Sequence, residues 1–201
     1  MPLKFANNQS LTSTTSLPSA VPTDNLILIS TQTASNSANI SFTGINGTYD
    51  VYEFKFIDIH PRTNSANLTL NFSTDGGSNY NVTKTTTWFR AGHSEADVDA
   101  FGYSTFFDLA QSTADQVFIY QIGNGADENA CGSLQLFNPS STTYVKHFIS
   151  RCQSYLQPSS YSLDCFVAGY GNTTSAINAV RFQMDSGNFD GTIKMYGVKK
   201  S

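Results

Sequence analysis

Apolar and polar residues alternate with a period of two through much of this chain, and residues 49–80 carry the pattern most clearly. They read YDVYEFKFIDIHPRTNSANLTLNFSTDGGSNY. Tyr52, Phe54 and Phe56 alternate with Glu53 and Lys55, and Leu68, Leu70 and Phe72 alternate with Asn67, Thr69 and Asn71. A period of two puts one row on a buried face and the other on a wet face of a β-strand. Between the runs lies His60-Pro61-Arg62-Thr63-Asn64-Ser65, whose proline cannot donate to a ladder. The two runs are expected to pair as an antiparallel hairpin at the centre of an all-β core. Ile57 and Ile59 fall on the opposite parity from Phe54 and Phe56, which predicts either a bulge near Phe56-Ile57 or burial on both faces.

The same reading extends along the chain. Residues 25–30, 38–42, 80–90, 101–109, 117–122, 133–137, 142–150, 161–170, 177–184 and 192–198 each read as strand-like. Gly44–Gly47, Asp75–Asn79, Gly123–Asn129, Asn138–Ser141 and Ser186–Gly191 read as turns, and Gly92–Asp99 as an acidic loop. About nine to eleven short strands, with turn signals roughly every ten residues, predict an antiparallel β-sandwich of jelly-roll-like type. Residues 25–201 form one such domain. Residues 1–24 are too sparse in apolar positions to build a core and read as an extended N-terminal arm. That arm is either a free tail or a segment that orders against a partner surface, with Leu3, Phe5 and Leu11 as its apolar docking residues.

Composition narrows the function. Charged residues are only 13% of the chain against a usual share of about 25%, so its polarity comes from Asn, Ser and Thr. The net charge of −4 speaks against wrapping nucleic acid, which needs a basic patch. No apolar run is long enough to predict a membrane span, and residues 1–20 lack the basic start and apolar stretch of a secretory leader. Cys131, Cys152 and Cys165 are odd in number and widely spaced, which favours free thiols over a disulfide framework. The seven Asn-x-Ser/Thr sites follow from the Asn, Ser and Thr richness.

Candidate chemistry is thin. His60, His93 and His147 lack metal-ligand spacing, so no zinc site is expected. Glu95, Asp97 and Asp99 form an acidic patch without the glycine and terminal glutamate of an EF-hand loop, and read as a solvated loop. Glu53, Asp58 and Asp108 offer carboxylates, but nothing pairs two of them across a cleft as glycoside hydrolysis requires. No GxSxG nucleophile motif occurs. The reading is a non-enzymatic protein with no cofactor. Aromatic residues are the remaining binding signal. Trp88, and Tyr155, Tyr161 and Tyr170 in expected loops, are candidates for stacking on sugar rings or filling a subunit interface, weighed for Trp88 against plain core packing.

Four segments carry a resemblance. The start, Leu3-Lys4-Phe5-Ala6-Asn7-Asn8 with the Ser/Thr tract behind it, resembles the opening of many virion proteins of tailed bacteriophages. So do Ser73-Thr74-Asp75-Gly76-Gly77-Ser78-Asn79-Tyr80, Phe137-Asn138-Pro139-Ser140-Ser141-Thr142-Thr143 and the closing Gly191-Thr192-Ile193-Lys194-Met195-Tyr196-Gly197-Val198. The likeness is greatest to uncharacterised proteins of phages of marine bacteria, including cyanobacteria. It implies a structural jelly-roll subunit on the virion surface: a tail fibre, head fibre or capsid-decorating protein, commonly a homotrimer. It implies other virion proteins as partners, anchoring through the arm and assembly in the host cytoplasm. The alternative is a carbohydrate-binding sandwich that recognises host surface glycan.

Overall fold

In the computed structural model, which describes residues 26–157 and 160–198, the chain is all-β, and no helix occurs among the described residues. Twelve strands follow in order: β1 (Leu26–Ser37), β2 (Asn39–Thr43), β3 (Val51–Pro61), β4 (Ala66–Ser73), β5 (Lys84–Ser94) and β6 (Asp99–Tyr103), then β7 (Gln116–Ile122), β8 (Ala130–Phe137), β9 (Lys146–Leu156), β10 (Tyr161–Gly171), β11 (Ala179–Met184) and β12 (Phe189–Val198). Residues 1–24, the expected arm, lie outside the described residues.

Every pairing is antiparallel, and the order is that of a jelly roll. One sheet begins β1-β12-β3-β8 and the other runs β2-β11-β4-β7. The chain therefore changes sheet at β1→β2, β2→β3, β3→β4, β4→β5, β6→β7, β7→β8, β10→β11 and β11→β12. Two hairpin excursions widen the first sheet. β9 and β10 are inserted between β8 and β11, β5 and β6 between β4 and β7, and together they extend that sheet as β8-β9-β10-β5-β6. Ile122 of β7 pairs with Leu156 of β9, nearly closing the sandwich into a barrel on that side.

The expected hairpin of residues 49–80 is not formed. β3 pairs with β12 and β8, while β4 pairs with β11 and β7 in the opposite sheet. The connection after Pro61 is a corner between sheets. Its two strands meet the core from opposite sides, so their apolar rows face each other's sheet. Phe54 and Phe56 of β3 lie 5.3 and 5.0 Å, ring to ring, from Phe182 of β11, and Phe56 lies 5.1 Å from Phe118 of β7. Phe72 of β4 meets Phe148 of β9 edge to face at 5.3 Å. Offset and edge-to-face rings of this kind add to the stabilisation from area burial alone.

The second face of β4 also differs from expectation. Thr69 and Asn71 belong to its polar row, yet both are buried. The segment before β7 covers Asn71: Asp115 accepts hydrogen bonds from Asn71 Nδ2 (2.7 Å) and Gln183 Nε2 (2.8 Å) and pairs with Arg181, while the Thr69 hydroxyl donates to the Gln183 carbonyl. Hydrogen bonding makes that burial tolerable where an apolar cover would not. The phase change in β3 is a bulge. Its register with β8 slips between Phe56 and Ile59, Asp58 adopts φ +52°, and Ile57 turns outward while Ile59 is buried.

Candidate functional site

The added edge of the first sheet creates a large cleft. On β5, Trp88 and Arg90 stand two residues apart and so share the inward face. Across the ladder, Arg90 pairs with Gly102 of β6, and Gly92 with Ala100. Two such small side chains leave space where larger ones would fill the layer. The strand segment expected at residues 101–109 ends at Tyr103, and the chain folds back over this space, placing Phe107 against Trp88.

The resulting cleft, about 900 Å³, has an aromatic floor. Trp88, Phe107 and Tyr120 form a mutual cluster with ring centroids 4.8 to 5.9 Å apart. Trp88 is 1% exposed, and its indole N–H finds no acceptor among the described residues. The Arg90 guanidinium lies over the Tyr120 ring at 5.7 Å, a cation–π arrangement. It forms no ion pair among the described residues: the five ion pairs there engage other groups. The rim carries Phe106, 84% exposed, with Asp99, Ser104 and Thr105. Tyr103 donates to Asp108 Oδ2 at 2.7 Å, and that bond raises the phenol pKa above its ordinary value. A smaller cavity continues the cleft past Arg90 and Tyr120 to Leu163 and Tyr161.

Of the sequence candidates, Trp88 and Tyr161 thus line adjoining parts of one trough. Tyr155 and Tyr170 do not join them. All three tyrosines sit on strands rather than in loops: Tyr155 on β9, Tyr161 and Tyr170 on β10. Tyr170 lies 5.9 Å from His147 in a shallower apolar groove on the outer face, beside Phe137 and Ile149. Leu3, Phe5 and Leu11 lie outside the described residues. Arg90, Phe107 and Tyr120 were not singled out from the sequence. For Arg90 the signal was there, because the alternation of β5 puts it on the face of Trp88. For Phe107 and Tyr120 it was not, because only the tertiary fold brings them in.

The other candidate groups are dispersed. Glu53 pairs with Lys55, Asp58 accepts from Asn129 Nδ2, and Asp108 accepts from Tyr103. His60 Nδ1 lies 2.7 Å from the Glu128 carbonyl, and His93 lies 3.2 Å from Asp97. The acidic stretch is no simple loop: β5 continues to Ser94, a tight turn follows, and β6 starts at Asp99. No group of three or more His, Cys, Asp or Glu side chains converges among the described residues. Cys131 is exposed, whereas Cys152 and Cys165 are buried opposite each other on β9 and β10.

Fold and site together define a jelly-roll β-sandwich with an appended hairpin edge and an aromatic trough behind it. Compared with known proteins, the chain matches no protein-family model and no curated protein.

Proposed function

We propose that this chain is a non-enzymatic structural subunit of a tailed-phage virion, displayed on the particle surface as a tail, fibre or capsid-decorating protein. The observation that carries the reading is the jelly-roll strand order with a widened sheet. Its support is analogy at the level of fold, since jelly rolls recur in viral coats and lectins, joined to the four segments that resemble phage virion proteins. The widened sheet also presents apolar groups outward. Ile149 is 54% and Phe101 80% exposed, and Phe89 stacks on Phe166 at 4.7 Å. Clustered exposed rings of this kind suit contact with another subunit, and a homotrimer is the assembly we favour. In this reading residues 1–24 anchor the subunit, with Leu3, Phe5 and Leu11 as the docking side chains.

The test is deletion of residues 1–24 in the phage that encodes the chain. The sandwich should still fold, and the truncated protein should be lost from purified particles. Particles that retain the truncated protein at full occupancy would refute anchoring by the arm.

A second reading, a sandwich that binds host surface glycan, is favoured by the trough at Trp88, Tyr120 and Tyr161. A glycan-binding module keeps its ligand when residues 1–24 are removed.

A further inference from the structure

We infer that the trough behind the β5–β6 hairpin is a binding site for an acidic saccharide, with Arg90 holding the sugar carboxylate. The inference rests on the glycan-binding reading and adds the charge of the ligand and the residue that selects it.

The first argument is the state of Arg90. It is half-buried between β5, β6 and Tyr120, and has a ring face below it but no carboxylate within ion-pair distance among the described residues. Taking a cation partly out of water is unfavourable unless an anion or hydrogen-bond acceptors meet it. The other arginines with described side-chain partners are matched: Arg62 with Asp190, Arg151 with Asp164 and Arg181 with Asp115. Arg90 is the exception, and it is the arginine that lines this cleft. Its guanidinium presents parallel N–H donors that fit the two oxygens of a carboxylate.

The second argument is the wall. Phe106, Phe107 and Tyr120 offer ring faces of the kind that pack against the apolar face of a pyranose, while Asp99, Ser104 and Thr105 at the rim offer partners for hydroxyls. A cleft of about 900 Å³ lies in the usual range for a small-ligand site. The guanidinium supplies one positive charge, enough to meet one carboxylate, and the Asp99 carboxylate at the rim opposes any further negative charge. A phosphate or sulfate cluster calls for several cations, and this lining has only Arg90.

Trp88 supplies the readout, because it is the single tryptophan of the chain and it lines the cleft. The experiment titrates the full chain with trigalacturonic acid, with its methyl ester as the neutral match and with a triglutamate peptide, following Trp88 emission. The acid should perturb the emission saturably, and the ester should bind about tenfold more weakly, the scale of one charge-assisted bidentate contact. Arg90→Gln should remove the preference for the acid, and Arg90→Lys should restore part of it. Phe106→Ala, at an exposed position that leaves the core untouched, should weaken acid and ester alike. Equal binding of acid and ester, unchanged in Arg90→Gln, would overturn the acidic selection and leave the glycan reading standing. No response to either sugar up to about 10 mM, beyond the weakest useful affinity, would overturn both. Saturable binding of the peptide alone would assign the site to acidic protein and also overturn the inference.

Discussion

Lys84, Cys152 and Cys165 place titratable groups inside the protein, and their burial makes stability depend on pH in opposite directions. The Lys84 ammonium donates to Asn71 Oδ1 at 2.7 Å and to the Val82 carbonyl at 2.8 Å, and desolvation pulls its pKa down to about 8 from 10.5. The unfolded chain therefore holds this proton more tightly, and stability from Lys84 rises as pH climbs from about 8 to about 10.5. The two thiols act the other way. Burial pushes both Cys152 and Cys165 up to about 12 from an ordinary 9.0. Their contribution is complete below pH 9.0 and is lost as pH rises toward about 12, because the unfolded thiols ionise first. The double variant Cys152→Ala/Cys165→Ala should therefore lose less stability than the parent between about pH 9 and about pH 11. Urea midpoints across that window check this: the parent's midpoint should fall more steeply than the variant's as pH rises, and parallel curves would refute it.

At the scale of single elements, the bulge joining β3 to β12 is an exacting piece of backbone. Gly191 adopts φ +132°, and a Cβ there would lie 2.7 Å from the Asp58 carbonyl oxygen. Asp58 itself stands at φ +52°, so both strands depart from regular geometry at one level. Gly191→Ala combines backbone strain with a clash against main chain, and should destabilise the fold by about 2–4 kcal/mol. Chemical denaturation measures this, and a loss under about 0.5 kcal/mol would mean that the bulge relaxes easily. The parity switch at Ile57 marked this place in the sequence with a bulge and burial on both faces as the alternatives, and the structure takes the bulge. The pairing of β3 was not legible. A hairpin and a corner between sheets both show two alternating strands and a turn, and the choice between them is made by β12, β8, β11 and β7, all distant in sequence. The burial of Asn71 was hidden for the same reason, since its cover comes from Asp115. The site was half legible: Trp88 and Tyr161 carried an aromatic signal, but the convergence of Phe107, Tyr120 and Arg90 depends on how two inserted hairpins settle against β7.

For the whole molecule, the eight jelly-roll strands and the four added ones have separate consequences. The former bury a continuous core of rings and branched side chains between two sheets. The latter extend one sheet past its partner, so their inner face forms the trough and their outer face exposes Phe89, Phe101 and Ile149. The proposed role places this edge outward on a particle, where the outer face meets neighbouring subunits and the trough meets glycan. The most direct measurement is immunogold labelling of intact virus particles purified from the culture in which the chain is produced, using antibody raised against the sandwich domain. The account predicts gold at repeated positions on the outer surface of the particles. Unlabelled particles, with the chain left in the soluble fraction of the lysate, would contradict it.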